Sequence, residues 1–281
     1  MTAVTEAPVL AGVGSERNLP LVRLAAREAV GHGRPLHLVH AFDWGAALAA
    51  PSIAGPHDAA EELLARATEV AKEVDEDLPV SGEISEEPAV DTLVRRSETA
   101  FLVAVGDSGM SAHPGCCVPA EAPAVQVAAR AGCPVLVGRR DPPPEGPVLV
   151  GVDGSPDSRK ALAWAFDCAA RREARLVAVR VAEPGCADDD PEVLTGTVAR
   201  VGERWPAVSV ECHTIRGDPR SVLVEQTRSA QLAVVAARAD QPGRGMLGSV
   251  SQTLLYHSPA PVIVVRGFAA TDGPDAQDQR P

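Results

Sequence analysis

The stretch PVLVGVDGS, residues 147–155, repeats the stretch PVLAGVGS, residues 8–15, apart from Val150 in place of Ala11 and one inserted residue, Asp153. Three other apolar segments of the first half of the chain recur in the same order in the second half. These pairs are residues 36–39 with 176–179, 102–105 with 232–235, and 133–137 with 260–264. Two copies of about 130–140 residues therefore fill the chain, and each copy should adopt the same fold.

Within the second copy, short apolar runs alternate with segments of helical spacing. Residues 148–152 form a continuous apolar run, as expected for a strand that is buried on both faces. The alternation predicts an α/β fold with a doubly wound parallel sheet, which binds ligands beyond the carboxyl ends of its strands. The predicted strands are residues 148–152, 175–181, 208–214, 232–236 and 262–265, and the predicted helices are residues 158–170, 191–204, 219–229 and 249–257.

Composition separates the two copies and marks the end of the chain. The segment RRDPPPEGP, residues 139–147, is rich in proline and charge, as linkers of limited flexibility are. We therefore predict a first domain of residues 1–140, a linker of residues 141–147 and a second domain of residues 148–267. Residues 268–281 are polar and poor in bulky apolar side chains, which predicts a disordered tail.

Charge and composition argue against several classes of protein. The 281 residues carry a formal net charge of -12, which disfavours binding to the phosphates of nucleic acids. No apolar run reaches the roughly 18 residues of a membrane span, and the N-terminus lacks the basic and apolar regions of a secretory signal. We therefore expect a cytoplasmic protein that does not bind membranes. The six cysteines form no pair of C-x-x-C motifs, so no zinc site is predicted.

A glycine-rich loop near the end of the chain, GRGMLGSVSQ (residues 243–252), matches the dinucleotide-binding pattern G-x-G-x-x-G. That pattern requires the loop to follow a strand directly and an acidic residue to end the next strand. Here the preceding strand ends several residues earlier, near Ala236, and the following strand ends without a carboxylate. The loop is therefore not predicted to bind a dinucleotide, and the chain contains no Walker A motif.

The end of the same loop, Gly248-Ser249-Val250-Ser251, opens the last predicted helix. The first N–H groups of a helix lack partners within the helix and attract anions, and serine hydroxyls can add donors. An ordinary serine N-cap is the alternative. Asp153 follows the first strand of this copy and should face the same crevice. Its carboxylate could orient a ribose or base or hold a Mg²⁺ ion, or it could simply form a turn.

These segments resemble the universal stress protein family. The first strand and helix of that family look like VLVGVDGS (residues 148–155) followed by ALAWA (residues 161–165). Its last helix and strand look like GSVSQ (residues 248–252) through PVIVV (residues 261–265). The resemblance covers essentially the whole chain as a tandem pair.

The resemblance implies two tandem, doubly wound, five-stranded parallel sheets with the adenine nucleotide alpha hydrolase-like fold. It also implies that the final strands of the two copies pair with each other, here residues 135–138 with residues 262–266. One class of the family binds ATP in the crevice of the fold, and another class does not.

The ATP-binding class has an Asp after the first strand and the motif G-x-x-G-(nine residues)-G-[ST] after the fourth. The second copy retains Asp153, Gly248 and Ser249, but alanines, Ala236 and Ala239, replace the first two glycines and the loop is one residue short. An alanine forced into a positive φ costs on the order of 1 kcal/mol or more. In this copy the resemblance implies nucleotide contacts from Val152, Asp153, Val181, Arg238, Gly248, Ser249, Val250 and Ser251, and Arg244 could add another.

The first copy departs from the pattern in the opposite way. It retains Gly106-Asp107-Ser108-Gly109 but lacks the Asp between Val13 and Gly14, and Glu121-Ala122 stands at the Gly-Ser position. A glutamate there would repel a phosphate, so we predict that the first copy is a degenerate, structural partner.

Three interpretations of function remain open. The first is a stress-response regulator that binds ATP, with Mg²⁺, in its second copy. The second is an interaction scaffold that binds a protein partner and no nucleotide. The third, a slow ATP hydrolase, lacks paired carboxylates or an activated nucleophile, and His213 and His257 are interpreted as structural. Pairing of two tandem chains into a homodimer also remains open.

Overall fold

The computed structural model describes residues 6–42, 54–107, 122–141, 143, 145–182, 191–237 and 246–266. Within these residues, ten strands form one sheet. The strands are β1 (Val9–Gly12), β2 (Leu36–Ala41), β3 (Val80–Ser85), β4 (Leu102–Gly106), β5 (Val135–Gly138), β6 (Val148–Gly151), β7 (Leu176–Ala182), β8 (Val210–Arg216), β9 (Leu232–Ala236) and β10 (Val262–Val265). We call β1 to β5 and their helices the first half, and β6 to β10 and their helices the second half.

The helices of the described residues connect these strands and are of ordinary length. They are α1 (Leu19–Gly31), α2 (Ala54–Lys72), α3 (Ala89–Arg96), α4 (Pro123–Arg130), α5 (Pro156–Arg171), α6 (Pro191–Gly202), α7 (Pro219–Gln226) and α8 (Ser249–His257). Short 3-10 turns precede α1, at Glu16–Asn18, and follow α7, at Thr227–Ser229. Across the part of the chain that is described, each helix is too short or too polar to cross a membrane.

The strand order is β3-β2-β1-β4-β5-β10-β9-β6-β7-β8. Neighbouring strands are parallel within each half, and β5 and β10 pair in antiparallel fashion, with Ile263 opposite Leu136. The predicted α/β fold and the predicted pairing of the last strands are both confirmed. The two five-stranded sheets thereby join into one continuous sheet with a pseudo-twofold relation between the halves.

Helices cover both faces of the sheet. Buried side chains of α1, α2, α5 and α6 form one core with the strands, and those of α3, α4, α7 and α8 form the other. The strands are buried on both faces because of this double layer, which explains why they consist of continuous Val, Leu and Ala runs. The arrangement brings the carboxyl ends of the parallel strands of each half to one edge, where β1 and β4, or β6 and β9, lie side by side.

Local capping determines where the helices of the second half begin. The hydroxyl of Ser155 accepts the N–H of Ser158 at 3.1 Å, and Pro156 takes the first helical position, where its missing N–H costs nothing. Helix α5 therefore starts two residues before the predicted residue 158. Asp218 caps α7 in the same way, by accepting the N–H of Ser221 at 3.1 Å.

On the face that carries α1 and α5, a buried ionic cluster joins the two halves. Glu28 of α1, whose side chain is 2% exposed, pairs with Arg172 at the end of α5. Burial would raise the pKa of Glu28, but Arg172 and then His32 outweigh burial and leave the pKa below its ordinary value. The ring of His32 lies between Glu28 and Asp167, at 3.7 and 3.5 Å.

A candidate nucleotide site in the second half

A cavity of about 220 Å³ lies at the carboxyl ends of β6 and β9. It brings together seven of the eight residues that the sequence predicted as nucleotide contacts, namely Val152, Asp153, Val181, Gly248, Ser249, Val250 and Ser251. The eighth, Arg238, lies outside the described residues, as do Ala239 and Arg244. The sequence pattern therefore predicted which described residues would share one crevice, although they lie up to 99 positions apart.

Asp153 lies at one side of this cavity, in the turn that follows β6. Gly154 has a φ of +86°, a conformation that glycine adopts without strain. In this turn the Asp153 carboxylate contacts the backbone two residues further along the chain. Its Oδ1 accepts the N–H of Ser155 at 2.9 Å. Partial burial would raise the pKa of Asp153, but the hydrogen bonds from Ser155 outweigh it and lower the pKa. Asp153 is therefore a carboxylate at neutral pH.

Helix α8 begins on the opposite side of the cavity, at Ser249. Its first intrahelical hydrogen bond runs from Gln252 N to Gly248 O, so the N–H groups of Ser249, Val250 and Ser251 precede the hydrogen-bonded part of the helix. The N–H of Gly248 donates a hydrogen bond to Ala237 O at 2.8 Å and is therefore already used. The anion-binding capacity of this end therefore rests on three N–H groups and on the absence of a side chain at Gly248.

Ser249 and Ser251, the two serines of the first turn, differ in what they can donate. The Ser251 side chain is buried, and its hydroxyl donates to Ala236 O at 2.5 Å, which ties α8 to the end of β9. That hydroxyl is consequently not available as the donor that the sequence suggested. Ser249 is exposed and lines the cavity, so its hydroxyl can still contact a bound anion.

Ala236, which replaces a glycine of the ATP-binding pattern, is compatible with the cavity. It is the last residue of β9 and pairs with Val265. Among the described residues that are not glycine, Glu173 is the only one with a positive φ, so Ala236 carries no backbone strain. The expected cost of an alanine at this position is therefore absent.

Between the carboxylate and the helix end, the cavity is walled by apolar side chains. Sequence reasoning missed Val179, Pro219 and Leu223, which line it together with the small Ser158. Val179 lies near the end of β7, and Pro219 and Leu223 belong to the first turns of α7, which follows β8. The rule that ligands meet the carboxyl ends of parallel strands was a sufficient signal for Val179, but the contribution of α7 depends on how that helix packs.

The ionisable groups of the cavity limit which metal complexes it fits. Among the described residues that line it, Asp153 is the only ionisable side chain, so they provide no second carboxylate. One carboxylate is a poor site for a bare divalent cation, but Mg²⁺ is commonly held by one or two carboxylates together with substrate phosphates. The residues present therefore fit Mg²⁺ only as part of a metal–phosphate complex.

The crevice of the first half has a similar volume, about 230 Å³, and a different lining. Where the second half has Asp153, the first half has no residue. The Asn18 side chain stabilises the turn instead, because its Oδ1 accepts the N–H groups of Gly14 and Ser15 at 3.0 and 3.1 Å. A Cβ atom added at Gly106 would lie 2.5 Å from Asn18 Nδ2, so the asparagine fills the floor of the crevice.

The helix end of the first half has also lost its anion-binding features. Helix α4 has Ala122 as its N-cap and Pro123 as its first residue, and proline has no N–H to offer. The described residues that line this crevice include no ionisable side chain. The structure therefore supports the prediction that the two crevices differ in ligand chemistry, while Glu121 lies outside the described residues.

The fold and the two crevices define a tandem α/β protein in which only the second crevice pairs a carboxylate with an open helix N-terminus, as far as the described residues show. The chain belongs to the universal stress protein family, whose family model matches residues 7–139 and 146–266. Each half of the sheet thus corresponds to one match of the family model.

Relatives of this chain match it over most of their length. A universal stress protein of Mycobacterium tuberculosis is 37% identical over 74% of this chain and 77% of the relative. One from Mycolicibacterium smegmatis is 34% identical over 94% and 98%. Among solved structures, a universal stress protein of Archaeoglobus fulgidus matches 94% of this chain and 98% of its own with a TM-score of 0.67 at 18% identity, which supports the fold.

Proposed function

We propose that this chain is a stress-response regulatory protein that binds one adenine nucleotide, ATP with Mg²⁺, in the crevice of its second half. The observation that carries the proposal is that Asp153 and the first turn of α8 line one cavity. Ribose hydroxyls are donors and match a carboxylate, whereas phosphates match helix N–H groups. A nucleotide presents these two groups in the required order.

The apolar wall supports a base as the third part of the ligand. Val152, Val179 and Leu223 are buried side chains that line the cavity beside Asp153. A planar base gains free energy by removing these surfaces and its own faces from water. The Val181 backbone lies at the end of β7, where a carbonyl or N–H group can pair with the edge of adenine. Arg238 is proposed as an additional phosphate contact.

Mg²⁺ enters this proposal with the nucleotide. When bound, the ion would neutralise phosphate charge, and the free oxygen of Asp153 would hold it directly or through water. The rest of the work is done by the chain itself: the N–H groups of Ser249, Val250 and Ser251 bind and orient phosphate oxygens, and Gly248 leaves room for them.

A calorimetric titration with Mg²⁺–ATP tests the proposal through two matched substitutions. Gly248→Asp places a carboxylate at the N-cap of α8, and Ala122→Asp places one at the N-cap of α4 in the first half. Aspartate stabilises a helix at an N-cap, so both variants should remain folded. We expect Gly248→Asp to abolish the binding heat and Ala122→Asp to leave it unchanged. Absence of heat with the unmodified protein would overturn the proposal.

A second function, an interaction scaffold, is favoured by the first half. The described residues that line the crevice of that half include no ionisable side chain, and Pro123 offers no N–H at its helix end, so this half supplies a folded surface for a protein partner. A partner that binds equally well to the unmodified protein and to Asp153→Ala, in a chain that binds no ATP, would support this function over the first. Native mass spectrometry at the same time distinguishes a monomer from a homodimer.

A further inference from the structure

The guanidinium of Arg139, which follows β5 in the first half, lies buried against the last helix of the second half. Its side chain is 2% exposed. It donates to three carbonyl groups at the C-terminal end of α8, from Nη2 to Leu254 O and from Nη1 to Leu255 O, both at 2.9 Å, and from Nε to Ala260 O at 3.2 Å. Arg139 therefore caps a helix that belongs to the other half of the chain.

Arg266, which follows β10, makes the reciprocal contact. Its Nε donates to Ala128 O at 3.1 Å and its Nη2 to Ala129 O, at the C-terminal end of α4 in the first half. Each half thus provides one arginine that caps the C-terminal end of the final helix of the other half. The two contacts are related by the same pseudo-twofold axis that relates β5 to β10.

The consequences of the two caps differ, because the helices they hold differ at their other ends. Helix α8 presents the N–H groups of Ser249, Val250 and Ser251 to the proposed nucleotide cavity. Helix α4 starts with Pro123 in a crevice that has no carboxylate among its described lining residues. Losing the Arg139 cap should therefore affect ligand binding, whereas losing the Arg266 cap should affect stability alone.

We infer that Arg139 is a positioning residue for the anion-binding end of α8, so that the first half controls the affinity of the crevice in the second half. The inference rests on the proposed function for its ligand, because the anion is the phosphate group of the nucleotide. Arg139 touches no part of the cavity itself and acts through the helix.

The length of the helix explains how such a contact can act at a distance. Helix α8 has nine residues, which makes it about 13 Å long, with only two turns and a half of hydrogen bonds between its ends. A buried cation at the C-terminal carbonyls complements the helix dipole and adds donors to these oxygens, of which Leu254 O also accepts the N–H of Ser258 at 3.0 Å. Without it, the short helix frays from that end, and its first-turn N–H groups lose their fixed direction.

A residue of the first half, Asp107, favours the charged form of Arg139. Burial lowers the pKa of Arg139 to about 10, and the opposing effect of Asp107 keeps the group charged at neutral pH. The Asp107 carboxylate lies 3.8 Å from Nη1, directly after β4. The cap therefore connects the end of β4 in the first half with α8 in the second half.

Arg139→Gln and Arg266→Gln form the matched pair that tests the inference. Both remove an arginine, buried at Arg139 and part-buried at Arg266, that caps a helix across the same strand pair, so both should lower the melting temperature. We expect Arg139→Gln to weaken Mg²⁺–ATP binding about tenfold, because a lost charge-assisted contact misplaces the phosphate donors. Arg266→Gln should leave the affinity unchanged. Calorimetry at a temperature well below both melting points measures the difference, and equal affinities of the two variants would overturn the inference.

Two further measurements keep the test decisive. Hydrogen exchange without ligand should accelerate in peptides that cover residues 246–257 in Arg139→Gln and in peptides that cover residues 122–131 in Arg266→Gln. Unchanged exchange in residues 246–257 of Arg139→Gln would contradict the inference, whether or not the unmodified protein binds ATP. Failure of the unmodified protein to bind ATP would overturn only the proposed function. Arg139→Lys, which retains the charge, should recover part of the affinity. If the glutamine variant does not fold, Arg139→Lys is compared with Arg266→Lys instead.

Discussion

Asp153 accepts the backbone N–H of Ser155 at 2.9 Å, and in the first half Asn18 accepts the equivalent N–H, of Ser15, at 3.1 Å. The two side chains perform the same structural task from different positions in the turn. Asp153 does so with a charged group and Asn18 with a neutral one, and each lines the cavity of its own half. Comparing the two residues therefore distinguishes what Asp153 contributes to the stability of its turn from what it contributes to ligand binding.

Asp153→Ala and Asn18→Ala are therefore expected both to lower stability and to differ in their effect on binding. Asp153→Ala removes the acceptor of one turn N–H and Asn18→Ala that of two, and each lost hydrogen bond should cost about 1 kcal/mol of unfolding free energy. Only Asp153→Ala removes a group that faces the proposed ribose, and it should weaken Mg²⁺–ATP binding about tenfold or more. Urea unfolding and calorimetry provide the two readouts. Equal loss of affinity in both variants would show that the turn, and not the carboxylate, matters.

The pH dependence of binding should report the lowered pKa of Asp153. Because its pKa lies below the ordinary aspartate value of about 3.9, Asp153 stays ionised throughout the range from neutral pH down to that value. The ratio of the ATP affinities of the unmodified protein and of Asp153→Asn should therefore be constant from about pH 8 to pH 5. Comparing the two proteins cancels the titration of ATP itself. A ratio that falls between pH 7 and pH 5 would contradict the assignment.

The buried pair between Glu28 and Arg172 should stabilise the junction of the two halves in a pH-dependent way. The folded pKa of Glu28 is lowered, so its contribution is fully present above the unfolded value of about 4.3 and is lost as the pH falls through the folded pKa. Glu28→Gln lacks this contribution. We expect the melting temperature of the unmodified protein to exceed that of Glu28→Gln at pH 7, with a difference that shrinks below about pH 4. A difference that grows in acid would contradict this account.

Arg172→Leu gives an independent test of the same junction. Removing one partner of a buried ion pair leaves the other charge in the core, which typically costs about 3–5 kcal/mol. The expected loss for Arg172→Leu should be largely relieved by adding Glu28→Gln, because the isolated charge is then gone. Urea unfolding of the single and double variants measures the coupling. Strictly additive losses would indicate that the two side chains do not interact.

Cysteine labelling tests the core without any ligand. Cys133 and Cys168 are buried, and burial raises the pKa of both thiols well above the ordinary value, whereas Cys212 on β8 is exposed. Of these three described cysteines, alkylation of the native protein, followed by peptide mass spectrometry, should label Cys212 first and spare Cys133 and Cys168 until the chain unfolds. Labelling of Cys168 at the rate of Cys212 would contradict the packing of α5.

Much of this fold follows from local patterns in the sequence. The predicted bounds of β9, α8 and β10 coincide with those observed, because each is a short apolar or amphipathic run, and glycine or proline precedes α8 and β10. The start of α5 differs by two residues, since the Ser155 cap and Pro156 extend the helix beyond its apolar stripe. The pairing of the last strands of the two halves followed from the family resemblance.

The contacts that tune the candidate site could not be predicted in the same way. Arg139 meets carbonyl groups 115 to 121 residues away, and nothing in its neighbourhood in the sequence indicates which helix it caps. The substitution of Asn18 for the missing aspartate is hidden because the two residues occupy different positions in the turn. The hydroxyl of Ser251 looked like a ligand donor, and only the packing of α8 on β9 shows that Ala236 accepts it.

The measurement that tests the central claim most directly is native mass spectrometry of the intact chain with Mg²⁺–ATP. Because the proposed ligand groups meet in the second half and the described lining of the first crevice has no ionisable side chain, we predict a mass increase of one nucleotide per chain, retained in Ala122→Asp and lost in Gly248→Asp. A protein that takes up no nucleotide, or one that takes up two per chain, would contradict the account.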